Sequence, residues 1–339
     1  MKVGIVGLGF MSVAHIKGYR QLSGVEIVAV CNPSGRRLDG DLSAVVGNVG
    51  DLDPVRLDMS SVTAYRDFDA FLKHPGMTVV DVCTPTKTHV DLCLRALAEG
   101  LNVICEKPLA RTSAEAERIA DAVSKASGIF MPAMCLRFWP EWAWLKEAID
   151  SGRFGKLQAL HLRRVAEPPG WGLDNYLAGE ESGGALFDLH VHDVDFVHYC
   201  CGRPQRVYSS GFSKISGAVD HVLTQYTVQS GACVSAEGSW AMTPGFGFNM
   251  SYTAIFEKAT ADYDLSRAEE KLRLFSGSGD GEVIQCSGQD AYAGELEYFL
   301  NHVRNGTKPA KVTIADALAV TETCTAEEQS IKTGECVAV

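Results

Sequence analysis

Several things are missing from this chain, and each absence closes off a class of function. No basic run offsets a formal charge of −11, set by 42 acidic residues against 31 lysines and arginines. Non-specific attraction to a phosphate backbone is therefore disfavoured, and nucleic acid is not expected as a partner. No stretch approaches the ~18 apolar residues that a bilayer span needs. The opening MKVGIVGLGF lacks the extended apolar core and small-residue cleavage site of a secretory leader. There is no CxxC pair, and the 11 cysteines are odd in number, scattered and mostly set in apolar runs such as DVCTP and NVICEKP. That usage reads as small buried thiols in a reducing cytosol rather than as a disulfide framework. Neither an internal repeat nor a low-complexity tract is apparent. A soluble, cytoplasmic chain with no nucleic-acid or membrane partner is the expectation.

What is present is enough for two globular domains: 339 residues, 46% hydrophobic and 22% charged. Short apolar runs rich in valine and isoleucine, KVGIVG, VEIVAVC, TVVDVCTP and NVICEKP, alternate with helical patterns up to about residue 128. Continuous apolar strands are covered on both faces, the mark of a parallel sheet wrapped by helices. His89, Leu92, Cys93, Ala96 and Leu97 line one side of a helix that Gly100 stops, and Ala116, Ile119, Ala120 and Val123 repeat the pattern before Gly128. Beyond residue 155 the texture alternates, as in KLQALHLRRV, HVLTQYTVQ and MSYTAIFEKA. That predicts a largely antiparallel sheet with one face on helices, interrupted by one long helix from about Ser182 to Cys201 and followed by two C-terminal helices. The fold class is an α/β doubly wound domain, 1–128, followed by an α+β domain, 129–339, with a large open sheet.

The first strand runs into GLGFMS, residues 7 to 12, which opens a helix. Gly7 and Gly9 permit a tight turn and close backbone approach, so a pyrophosphate can sit beside Phe10 and Met11 on the free N–H groups of the helix N-terminus. Ser12 departs from glycine at the third position but is still small. Where an NAD site offers an acid to the ribose, twenty residues on, this chain has Asn32 in CNPSGRRL. Asparagine does not repel a 2′-phosphate, and Ser34, Arg36 and Arg37 can hold one, so NAD and NADP are both admissible cofactors and the reading tips toward NADP. Solvated arginines at a helix start are the plainer alternative. Residues 40 to 60 form an inserted excursion of no readable role.

Two further strand ends carry polar residues on the same edge: Thr84, Pro85 and His89 in CTPTKTH, and Glu106 and Lys107 in ICEKPLA. In open α/β sheets ligands collect at the carboxyl ends of strands. Lys107 there can hold a substrate hydroxyl or lose a proton beside a cationic ring, and the competing reading is a surface ion pair. In SGGALFDLHVHDVDFVHYC, Asp188, His192 and Asp195 fall at i, i+4 and i+7, one polar seam on a helix of ~3.6 residues per turn. His190 lies about 200° from Asp188 on such a helix, which argues against a metal site, and none is expected. His192 in a carboxylate seam suits a general base, with a histidine paired to Asp188 for structure as the alternative.

In this order and at these intervals, GLGFMS, CTPTKTH, ICEKPL and GGALFDLHVHDVDF resemble the Gfo/Idh/MocA oxidoreductases, the glucose-fructose oxidoreductase and inositol dehydrogenase family. CLRFWP, SGRFGK and the ELEYFL helix extend the resemblance over nearly the whole chain. The resemblance implies NAD(P)-dependent oxidation or reduction of a sugar, sugar derivative or polyol. It makes Lys107 the catalytic lysine, His192 the active-site histidine and Asp188 its acidic partner, with Glu106 near the nicotinamide ribose. It also implies that Arg137, Trp139, Arg164 and Trp171 line the substrate cleft and that the open sheet face makes a homodimer or homotetramer. Asn32 and Thr86 depart from the family pattern and leave coenzyme preference open. A glycosidase using NAD through transient oxidation, and a dinucleotide sensor without chemistry, are the alternative readings.

Overall fold

The apolar runs fold into parallel strands. In a computed structural model that describes residues 1–45, 47, 53–169, 178–277 and 279–339, the chain divides into two compact units, Met1–Cys135 with Gln289–Leu318, and Leu136–Gly288 with Ala319–Val339.

The first unit contains β1 (Lys2–Val6), α1 (Phe10–Arg20), β2 (Glu26–Cys31), β3 (Thr63–Tyr65), α2 (Phe68–Leu72), β4 (Val79–Val82), α3 (His89–Ala98), β5 (Asn102–Cys105), α4 (Ser113–Lys125) and β6 (Phe130–Pro132). The six strands pair in the order β3-β2-β1-β4-β5-β6, all in parallel. This is the doubly wound order whose direction reverses between β1 and β4, where a dinucleotide crevice opens. Val3, Ile5, Val79, Val80, Val103 and Ile104 are fully buried, as two-sided coverage requires. Local chemistry sets the helix ends. Thr112 Oγ1 accepts from the Glu115 amide while the Glu115 carboxylate accepts from the Thr112 amide, a reciprocal capping box that starts α4. The inserted excursion is tied down by an Asp41 to Arg56 bridge and by buried Leu42 and Val55, while residues 46 and 48–52 lie outside the described ones.

The second unit contains α5 (Pro140–Ser151), β7 (Leu157–Ala166), α6 (Val191–Cys201), β8 (Arg206–Phe212), β9 (His221–Thr227), β10 (Cys233–Ser239), β11 (Phe248–Phe256), β12 (Thr260–Asp264), β13 (Leu272–Phe275), β14 (Glu282–Val283) and β15 (Val337–Ala338). Its nine strands run in the order β14-β13-β12-β11-β7-β10-β9-β8-β15, with only β10 and β7 parallel among them. The expected alternation is there: Val207 and Ser209 are buried while Tyr208 is exposed, and Val222 and Thr224 are buried while Leu223 is exposed. The core centres on Trp142, whose indole meets Phe196, Tyr252 and Tyr263 edge-on at 4.8, 5.2 and 5.9 Å.

Two C-terminal helices, α7 (Ala291–Asn305) and α8 (Ile314–Thr333), complete the chain. The structure draws the domain boundary differently from the expected 1–128 and 129–339. Phe130–Pro132 pairs with β5 as the last parallel strand, and α7 returns to the first unit by packing on α1. Gly18 makes that contact close, since a Cβ there would lie 2.8 Å from Leu296 Cδ1 and 3.2 Å from the Ala293 amide nitrogen. The single helix expected over Ser182–Cys201 is also divided. A π-helical turn, Leu186–His190, precedes α6, and such wide turns recur at functional sites.

Candidate active site

The dinucleotide loop has the geometry that its glycines require. Gly7 sits at φ +91°, and a Cβ there would lie 2.5 Å from the Cys83 carbonyl oxygen. Gly9 leads into α1 with nothing within 4 Å of where its Cβ would be. No side chain caps α1 and no acid occupies its first turn, so its amides face that open space and suit an anionic pyrophosphate. Phe10 and Met11 are half-buried beside it, and Ser12 Oγ donates to the Gly9 carbonyl at 2.7 Å. These residues fit the dinucleotide.

The ribose end departs from expectation. Asn32 Nδ2 donates to the Arg36 carbonyl at 2.7 Å and its Oδ1 accepts from Ser34 Oγ at 2.9 Å. Arg37, at φ +59°, donates through Nη1 to the Leu8 carbonyl at 2.8 Å. These groups hold the loop together and tie it to the nucleotide turn, which gives the expectation of NADP no support.

Beyond β4 and β5 the edge is more tightly cross-braced than the sequence suggests. Thr84 is half-buried and Pro85 exposed. His89 is a fully buried pin at that edge: its Nδ1 and Nε2 lie 2.9 Å from the carbonyls of Pro108 and Thr84, which joins the turn after β5 to the turn after β4. Burial pulls its pKa below 6.5 against the opposing pull of those carbonyls. Glu106 is also taken up by protein contacts. It is 4% exposed and turned inward, with Oε1 3.1 Å from His15 Nε2 and Oε2 accepting from the Lys107 amide at 3.1 Å. Lys107 alone breaks the buried run from Val103 to Ala110, and it is half-buried.

In the second unit, Asp188 and His192 are the only residues between Ser182 and Val197 that are not buried. The expected seam keeps these two and loses Asp195. The π turn changes the register after Asp188, and Asp195, 1% exposed, takes both Nε and Nη2 of Arg137 at 2.9 and 2.6 Å. Arg164 binds Asp193 in the same way, at 2.9 and 3.2 Å. Both guanidiniums are thus forked onto buried carboxylates. A guanidinium satisfied by a buried carboxylate is part of the packing. Trp139 packs on the second unit's core, and Trp171 lies outside the described residues. His190 diverges from His192 as expected: it is fully buried, 3.2 Å from the Tyr226 hydroxyl and 3.3 Å from Glu327 Oε2, against Gly238, where a Cβ would lie 2.5 Å from its own. Burial lowers the His190 pKa, but Glu327 outweighs it and leaves the group above 6.5.

Sequence reading missed one constellation in the first unit. Asp81, in the middle of the run VVDVC, is fully buried and accepts from the Tyr19 hydroxyl at 3.0 Å, with His15 Nδ1 at 2.8 Å and Cys83 Sγ at 3.3 Å. A carboxylate inside a two-sided apolar strand must find partners, and that is the signal by which it was detectable. Cys83 is close enough to complete a metal-like group with His15 and Asp81. However, burial and the Asp81 charge push its thiol far up, so these groups share protons rather than present a thiolate. No disulfide joins any of the 11 cysteines, and among the described residues no helix is long and apolar enough to cross a membrane.

Comparison with known proteins agrees with this geometry. Residues 1–134 match the oxidoreductase family model described as an NAD-binding Rossmann fold, and residues 142–262 match the Gfo/Idh/MocA C-terminal domain. The chain is 26% identical over 345 residues to a scyllo-inositol 2-dehydrogenase (NAD(+)) of Bacillus subtilis, covering 98% of this chain and 95% of that one. It is also 26% identical over 324 residues to a myo-inositol 2-dehydrogenase of Thermotoga maritima, covering 91% and 90%. The solved structure of a levoglucosan dehydrogenase in complex with NADH and levoglucosan shares the fold at a TM-score of 0.86 and 20% identity, covering 100% and 99% of the two chains. With the dinucleotide loop, the doubly wound sheet and the second, open sheet all in place, the chain belongs to the Gfo/Idh/MocA oxidoreductases and is an NAD-binding dehydrogenase of that family.

Proposed function

We propose that the chain oxidises a secondary hydroxyl of an inositol-like polyol or a cyclic sugar, with NAD+ as the preferred coenzyme. The observation that carries this reading is the near full-length likeness to two inositol 2-dehydrogenases, joined to the opening of Lys107, Asp188 and His192 out of otherwise buried segments. When bound, the nicotinamide supplies the hydride acceptor. His192 takes the hydroxyl proton on a ring nitrogen, and Lys107 donates a hydrogen bond to the same oxygen and stabilises its developing negative charge. Asp188, one turn before His192, orients the imidazole. A spectrophotometric screen of inositols, free sugars and anhydrosugars with each coenzyme tests this. NADH formation with a cyclic polyol is the expected result, at higher kcat/KM than with NADP+. No coenzyme reduction with any of them would overturn the reading.

The open face of the second sheet supports self-association. Tyr208 and Phe212 on β8, Leu223 on β9 and Ile255 on β11 are exposed apolar residues on it, and Arg163 and Glu237 pair across neighbouring strands of the same face at 3.0 Å. Exposed apolar area of this kind marks an interface, and a second copy of the chain is the occupant we assign. Light scattering should give at least a dimer that Leu223→Glu weakens, and a monomeric wild type would refute the assignment.

A further inference from the structure

The buried group around His15 lies within the first unit, beneath both the nucleotide helix and the Lys107 turn. We propose that His15 is a positioning residue: carried on α1, it bridges Asp81 at the end of β4 and Glu106 at the end of β5, and so fixes the turn that presents Lys107. The proposal rests on Lys107 being the group that holds the reacting oxygen. The bridge is short on both sides, with Nδ1 2.8 Å from Asp81 Oδ2 and Nε2 3.1 Å from Glu106 Oε1. The second contact is an ion-pair approach rather than an aligned hydrogen bond. Glu106 passes the constraint on, since its other oxygen accepts from the Lys107 amide.

Every element packed against His15 brings a titratable group. β4 and the turn after it give Asp81 and Cys83, β5 gives Glu106, and α1 itself gives Tyr19. From α7 come Tyr292, its ring 6.4 Å from the imidazole, and Glu295. Glu295 is fully buried and its carboxyl has no partner in hydrogen-bond geometry, although the Met134 amide approaches it. Burial first, and Glu106 second, push its pKa well above 4.5, so it stays neutral. Two carboxylates, Asp81 and Glu106, are left to be balanced in a dry interior. The imidazolium does this: burial alone would lower its pKa, but the Asp81 carboxylate outweighs it and leaves the group well above 6.5. A neutral side chain at position 15 would leave both carboxylates uncompensated, and Glu106 would leave the Lys107 amide.

The experiment is a double-mutant cycle on the NAD+-dependent reaction. His15→Asn should lower kcat by about tenfold or more while the Kd for NADH changes by less than about threefold. Because the cation facing Asp81 and Glu106 is lost, the pH profile of kcat should move, and adding Glu106→Gln, which removes one of the two anions, should move it back. The double variant should be no slower than His15→Asn alone. Independent, additive losses with an unmoved pH profile would overturn the proposal. Should His15→Asn not fold, Glu106→Gln alone still reads the coupling, by a move of the same pH profile, and an unmoved profile again overturns it. Nitrogen-15 NMR of the histidines in the wild-type NADH complex needs no turnover, so it separates this inference from the assigned reaction. A protonated His15 at pH 7.5 supports the bridge, and a neutral one refutes it even if the polyol chemistry is correct.

Discussion

Lys107→Met is expected to lower kcat for polyol oxidation by about 10²- to 10³-fold, the range lost with one donor to a developing oxyanion, while NADH affinity stays near wild type. The position makes the test clean. Lys107 is half-buried between buried neighbours, so methionine keeps most of the stem's packing and removes the ammonium. The bond from its amide to Glu106 Oε2 involves the main chain and survives the substitution. The phosphate end of the coenzyme site, at Gly7 and Gly9, is formed by backbone and is not touched. His192→Asn should give a loss of similar size in kcat. A loss confined to KM in both variants would reduce the two residues to binding groups, and near-wild-type kcat in both would remove them from the chemistry.

The candidate site was readable wherever the sequence signal is local. Gly7 and Gly9 follow a strand and open a helix, Lys107 follows a strand, and Asp188 and His192 lie one turn apart, so each was proposed from its neighbours. What the sequence did not announce are pairings between residues distant along the chain. Arg137 and Asp195 are 58 positions apart, and Arg164 and Asp193 are 29 apart, so nothing near either arginine announces that its charge is already matched. His15 and Asp81 are 66 apart and share the same fate. Helical periodicity also misled where the helix is not α: a 3.6-residue period cannot foresee the π turn at Leu186–His190 that takes Asp195 out of line with Asp188. Strands as short as Thr63–Tyr65 and Phe130–Pro132 carry too few residues for any period. They form because a longer neighbour, β2 or β5, offers an open edge.

Breaking the Arg137–Asp195 pair should give the largest loss of stability among single substitutions in the second unit. The guanidinium is 2% exposed and forked onto a carboxylate that is 1% exposed, with its carbon 4.6 Å above the Tyr199 ring. Arg137→Met leaves Asp195 charged, buried and short of its main partner, which costs about 3–5 kcal/mol, a fall in Tm of roughly 10 °C for a unit of this size. Calorimetry on the isolated variant reads this directly. The companion Arg137→Met/Asp195→Leu should recover most of the loss, because replacing both ions with apolar groups of similar volume removes two desolvation penalties along with their attraction. The same pair of variants decides between the two roles offered for this arginine. A substrate contact would show as a raised KM that the double substitution cannot repair, with Tm unchanged. A packing role shows as a Tm loss that the double substitution does repair. The bidentate geometry with Asp195 predicts the second outcome, because a guanidinium that leaves a buried carboxylate to meet substrate would expose the same penalty in every catalytic cycle.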